Sequence, residues 1–101
     1  MIKTIDVSCR EWFDKINGNS YFSARISVNY GMKNQKLIKI PFQYGYGEQY
    51  LTETVKALLE AKLIQCDPME SLWRYCQENK IILRKIKQEN CKKKEVRLFG
   101  I

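Results

Sequence analysis

The chain contains no histidine at all. That excludes Ser-His-Asp and Cys-His nucleophile systems outright. General acid–base work would fall to carboxylates, lysine, tyrosine or cysteine. Zinc loses its commonest nitrogen ligand as well. The four cysteines, Cys9, Cys66, Cys76 and Cys91, form no C-x-x-C pair. A disulfide-stapled secreted domain carries a denser and more regular set. They read as free thiols in or near a core, as unpaired cysteines commonly are. No apolar run approaches the roughly 18–20 residues that a spanning helix needs. The opening Met1-Ile2-Lys3-Thr4-Ile5-Asp6 has no signal-peptide apolar region. A cytoplasmic protein with no membrane association is expected.

What is present is a single domain over residues 1–101, with an ordinary hydrophobic fraction of 45%. Net charge is +7, and it is unevenly spread. From Lys80 onward there are eight basic side chains against two acids, Glu89 and Glu95. The first 79 residues are almost balanced, with ten basic and nine acidic. A cationic segment on a neutral body favours a polyanionic partner: nucleic acid or an acidic protein surface. The competing explanation is a solvated element whose lysines blunt a sheet edge.

Periodicity supplies the fold. Ile5, Val7 and Cys9 alternate with polar neighbours, so residues 4–15 read as a strand. Trp12-Phe13 breaks the alternation and suggests a bulge. Asn17-Gly18 favours a tight turn. Phe22, Ala24, Ile26 and Val28 then alternate with Tyr21, Ser23, Arg25, Ser27 and Asn29. A third strand, Lys36–Tyr44, carries Pro41, which has no ladder donor and belongs at an edge. After Gly45 and Gly47, Leu51, Val55, Leu58, Leu59 and Lys62 mark a helix over about 48–63. Asp67 as N-cap, Pro68 and Glu70 predict a second helix ending near Asn79. Residues 81–101 read as a second hairpin turning at Asn90-Cys91-Lys92-Lys93. The alternative is a helix running from Glu70 through Lys87. The expected fold class is α+β: an antiparallel sheet, built from an N-terminal hairpin, a third strand and a C-terminal hairpin, with two helices on one face.

Ten residues stand out as candidates for binding nucleic acid or another partner. Seven are basic: Arg84, Lys85, Lys87, Lys92, Lys93, Lys94 and Arg97. Three are Tyr44, Tyr46 and Tyr50, around an unusual Tyr-Gly-Tyr-Gly turn that offers either a stacking platform or a plain strand-to-helix connection. Gly45-x-Gly47 lacks the remaining residues of a dinucleotide loop or a P-loop. Trp12 and Trp73 are expected to be buried, as aromatics in small cores are. Asp6 and Asp14 share a strand face but lie roughly 26 Å apart on a straight strand, so no metal site, cofactor or catalytic residue is assigned.

Two stretches are distinctive: Trp12-Phe13-Asp14-Lys15-x-Asn17-Gly18-Asn19-x-Tyr21, and Pro41-Phe42-x-Tyr44-Gly45-Tyr46-Gly47-x-x-Tyr50. Their combination resembles a group of small uncharacterised proteins of bacteriophages and mobile elements. The resemblance covers about the first half of the chain and carries no chemistry. It implies provenance and not mechanism, and the basic C-terminal segment lies outside it; that segment's charge gives the expectation of a non-enzymatic phage-type accessory protein that binds nucleic acid or a nucleic-acid-handling complex. The alternative it leaves open is an inhibitor or adaptor bound directly to a host protein, as anti-defence proteins are.

Overall fold

The computed structural model describes residues 1–101. Seven elements follow in order: β1 (Thr4–Asp14), β2 (Asn19–Val28), β3 (Lys36–Tyr44), α1 (Gln49–Glu60), α2 (Leu72–Glu78), β4 (Ile82–Gln88) and α3 (Lys93–Phe99). The fold is α+β, with one four-stranded sheet in the order β3-β2-β1-β4. β1, β2 and β3 form an antiparallel meander, and β4 joins the other side of β1 in parallel. The sheet is therefore mixed, because a chain leaving β3 crosses the helical layer before it returns beside β1.

The alternation read in β1 and β2 decides the core. Ile5, Val7, Cys9, Phe22, Ala24, Ile26 and Val28 point to one face and are buried, joined by Ile40, Tyr50, Val55 and Leu58. α1 covers that face because its stripe Leu51, Val55 and Leu58 matches the helical repeat. Gly45 lies against Phe22 at the entry to α1, where a β-carbon would come within 2.5 Å of the ring. Close approach is what this glycine is for. Asn29 closes β2 in the left-handed region (φ 55°). It is almost fully buried, and its Oδ1 accepts from the main-chain N–H of Lys3 at 2.7 Å and Thr4 at 3.3 Å. The end of β2 is thereby tied to the start of β1.

Several expectations need correction. Residues 81–101 form neither a hairpin nor an extension of the second helix: Ile82–Gln88 is a strand and Lys93–Phe99 a helix. The sheet is not wholly antiparallel, and there are three helices, with α3 on the face opposite α1 and α2. The second helix begins later than expected. Asp67 Oδ1 accepts from the Met69 N–H, forming a turn, and Ser71 is the cap, its hydroxyl accepting from the Arg74 N–H. Lys62 lies beyond α1 in the left-handed region (φ 59°), not on the helical stripe. The β1–β2 register is continuous through Trp12-Phe13. The irregularity lies instead between β2 and β3, at Phe22/Ala24 opposite Gln43/Ile40, with Pro41 on an edge strand as expected.

Candidate polyanion interface

The basic residues of the C-terminal third divide according to strand parity. On β4, Lys85 and Lys87 turn toward the helical layer, and Arg84 turns to the opposite face. Each finds an acid far away in sequence. Lys85 Nζ lies 3.2 Å from Glu48. Lys87 Nζ pairs with Glu11 at 3.0 Å and donates to the Gly47 carbonyl at 2.8 Å. Its side chain is only 18% exposed, and its ammonium sits 5.9 Å from the centre of the Tyr50 ring. Arg84 donates from Nε and Nη2 to the two oxygens of Asp6, at 2.6 and 3.1 Å. That fork holds the guanidinium's pKa above its ordinary value. These three cations are neutralised inside the molecule.

The cations of α3 are different. Lys92, Lys93, Lys94 and Arg97 make no ion pair. The helix is only seven residues long, too short to persist alone in water. It exists because it docks. Val96 and Phe99, three apart, are buried against the sheet. The Ser23 hydroxyl donates to the Val96 carbonyl, and Arg25 Nε donates to the Phe99 carbonyl at 2.9 Å. Gly100 ends the helix where a β-carbon would lie 2.8 Å from the Ile40 carbonyl oxygen and 2.9 Å from Pro41 Cα. With the apolar side anchored, the lysines at the start of α3 and Arg97 remain in solvent.

The sheet adds two guanidinium groups that sequence reasoning missed. Arg10 on β1 and Arg25 on β2 each lie 4.3 Å from the centre of the Phe99 ring. Cation–π attraction offsets part of the cost of placing them side by side. Arg10 Nε is enclosed and has no protein partner for its hydrogen. The available signal was parity: both arginines lie on the polar face opposite the core. The docking of Phe99 between strand and helix had no local signature.

The aromatic residues assort differently from the expectation. Trp12, Tyr21 and Phe42 form a three-ring cluster, with ring centres 5.5 Å apart for Trp12–Tyr21, 5.2 Å for Tyr21–Phe42 and 6.4 Å for Trp12–Phe42. Tyr44 meets Tyr21 edge-on at 5.8 Å and is half exposed. Lys93 Nζ lies 5.3 Å from the centre of the Trp12 ring, so the cluster touches the cationic helix. Tyr46 is exposed, whereas Tyr50 is buried in the core, and burial raises its phenol pKa. Tyr44, Tyr46 and Tyr50 therefore do not form one platform. Trp12 is half-buried, but Trp73 is 60% exposed, contrary to the expected burial.

Of the four free thiols, Cys91 borders this surface beside Lys92, Lys93 and Trp12. Cys9 and Cys76 are in the core, where burial pushes their pKa values up to about 12 and about 11. No helix is long and apolar enough to cross a membrane. No family model matches the chain, and neither the curated proteins nor the solved structures contain a match to it.

Proposed function

We propose that this chain is a small, non-enzymatic accessory protein that binds a nucleic acid through α3 and the sheet face beneath it. The observation that carries this reading is the unpaired cluster Lys92, Lys93, Lys94 and Arg97, set on a docked helix next to the Trp12, Tyr21 and Phe42 ring cluster. Cations that form no intramolecular ion pair gain most from phosphate, since binding releases counterions at no cost in broken pairs. Adjacent aromatic rings supply the second ingredient of single-strand recognition. Lys85, Lys87 and Arg84 are spent on Glu48, Glu11 and Asp6 and serve the fold. The lack of histidine supports a non-enzymatic role. The phage-like motif pair supports a mobile-element origin.

The direct test is binding of a labelled oligonucleotide by the wild type and by Lys92→Glu/Lys93→Glu/Lys94→Glu. Loss of binding in a variant that keeps its melting temperature is the expected result. Equal binding by the two proteins contradicts the reading.

A second reading has its own observation. Met69 and Trp73, 85% and 60% exposed, lie together beside α2 on the side away from α3. An exposed tryptophan in such a patch is the kind of side chain that anchors protein interfaces. An adaptor or inhibitor bound to a host protein would use this surface. Recovery of one partner by the wild type and its loss with Trp73→Ser would support it.

A further inference from the structure

α3 covers only part of its sheet face. Over the remainder the central strands present short side chains, Ser8 on β1 and Ser27 on β2, while the flanks rise. Leu37 stands on β3, Ile86 on β4, Tyr30 in the loop after β2, and Phe99 at the end of α3. Low centre and high rim make a groove of about 530 Å³, open to solvent. That is within the range of small-ligand sites. Leu37, Ile86 and Tyr30 are 54%, 59% and 66% exposed around this one opening. Three large apolar groups so placed mark a surface that is covered in use.

Charge selects the occupant. Arg84 and Asp6 neutralise each other among its walls and Lys85 is held by Glu48, which leaves Arg25 as the unpaired charge that lines the groove. A guest must therefore combine negative charge with a flat apolar part. Phe99 belongs to the groove and to α3, so the groove continues the unpaired cationic ridge without a break.

We propose that this groove seats an unpaired base of a single-stranded polynucleotide whose phosphates follow Lys92, Lys94 and Arg97. The inference rests on the nucleic-acid reading above and goes further, by naming the form of nucleic acid. Bases of a duplex are stacked away inside it, and bringing one out costs unpairing and unstacking. A single strand has no such cost, and its base covers the apolar rim while Arg25, the unpaired cation of the groove, faces the adjoining phosphate.

The test is equilibrium binding at fixed salt to four probes: a single-stranded 12-mer, its duplex, an abasic strand of equal length, and polyglutamate. Three proteins are compared: wild type, the groove variant Tyr30→Ser/Ile86→Ser, and the ridge variant Lys94→Gln/Arg97→Gln. All the substituted residues are exposed, and circular dichroism checks their folding. The wild type is expected to prefer the base-bearing single strand over the duplex and the abasic strand by roughly tenfold, the scale of one stacked base. The groove variant should lose that preference and keep its residual affinity. The ridge variant should weaken all polyanions alike. If the wild type binds duplex or abasic strand as tightly as the single strand, or the groove variant keeps the preference, the groove is not a base site, although the nucleic-acid reading survives. Polyglutamate bound as tightly as the single strand makes the occupant an acidic protein face and overturns the inference. Absence of nucleic-acid binding at low salt overturns the functional reading itself and the inference with it.

Discussion

Replacing Lys92, Lys94 and Arg97 by glutamine removes three of the four unpaired charges on α3 and leaves Lys93 over Trp12. If these four cations carry phosphate binding, the salt dependence can be computed. For single strands the logarithmic slope of affinity against salt is roughly −0.7 per neutralised phosphate. Four contacts give about −3, and one gives about −0.7. Raising salt from about 50 to about 200 mM should then weaken the wild type about 50-fold and the triple variant only about 3-fold. The measurement is fluorescence anisotropy of an end-labelled single strand across a salt series. Lys85→Gln is the control. Lys85 lies in the same cationic segment but already faces Glu48 at 3.2 Å, so its loss should leave the slope unchanged. A triple variant with the wild-type slope refutes the assignment to α3. So does a Lys85→Gln variant whose slope falls by the share of one contact.

Three further outcomes test the architecture behind the site. Gly100→Ala places a β-carbon against the backbone of Ile40 and Pro41. Overpacking of this kind costs about 2 kcal/mol, a fall in melting temperature of roughly 10 °C for a domain this size, and oligonucleotide affinity should fall with it as α3 loosens. Asn29→Ala removes a buried amide that ties the end of β2 to the start of β1 and leaves a non-glycine residue at φ 55°. A cost of about 2 kcal/mol is expected in urea unfolding, without loss of binding by the folded fraction. Cys9 and Cys76 titrate near 12 and 11 when folded, against an ordinary value of 9.0. A thiol whose folded pKa is raised favours folding below its unfolded value, and the contribution is lost as pH rises toward the folded one. Melting temperature should therefore decline from about pH 9 upward. At pH 8, alkylation of the native protein should spare these two thiols and reach Cys66 and Cys91 first, as mass spectrometry of the adducts can read.

The first half of the chain was legible in its residues because its signals are local and repeated. Phe22, Ala24, Ile26 and Val28 set a face by parity, Pro41 sets an edge, and Leu51, Val55 and Leu58 set a helical stripe. The second half was harder for physical reasons. Val96-Arg97-Leu98-Phe99 is too short to separate a period of two from one of 3.6. The decision came from outside the segment, from Ser23, Arg25 and the space at Gly100. At the second helix, Asp67 and Ser71 are both competent caps, and the chain uses the first for a turn and the second for the helix. The candidate site divides the same way. That positive charge concentrates beyond residue 80 was visible. Which charges stay free was not, because Glu48 and Glu11 reach Lys85 and Lys87 only in the folded chain. Arg10 and Arg25 joined the surface through Phe99, a contact between residues more than seventy positions apart.

The most direct test of the central claim is a map of amide chemical shifts on titration with a short single-stranded oligonucleotide. The binding face proposed here predicts perturbation at Lys92–Phe99, at Arg10 and Arg25, and at Tyr30 and Ile86 around the groove, with α1 and α2 unmoved. Shifts confined to Met69, Trp73 and their neighbours beside α2, or no shifts at low salt, would contradict it.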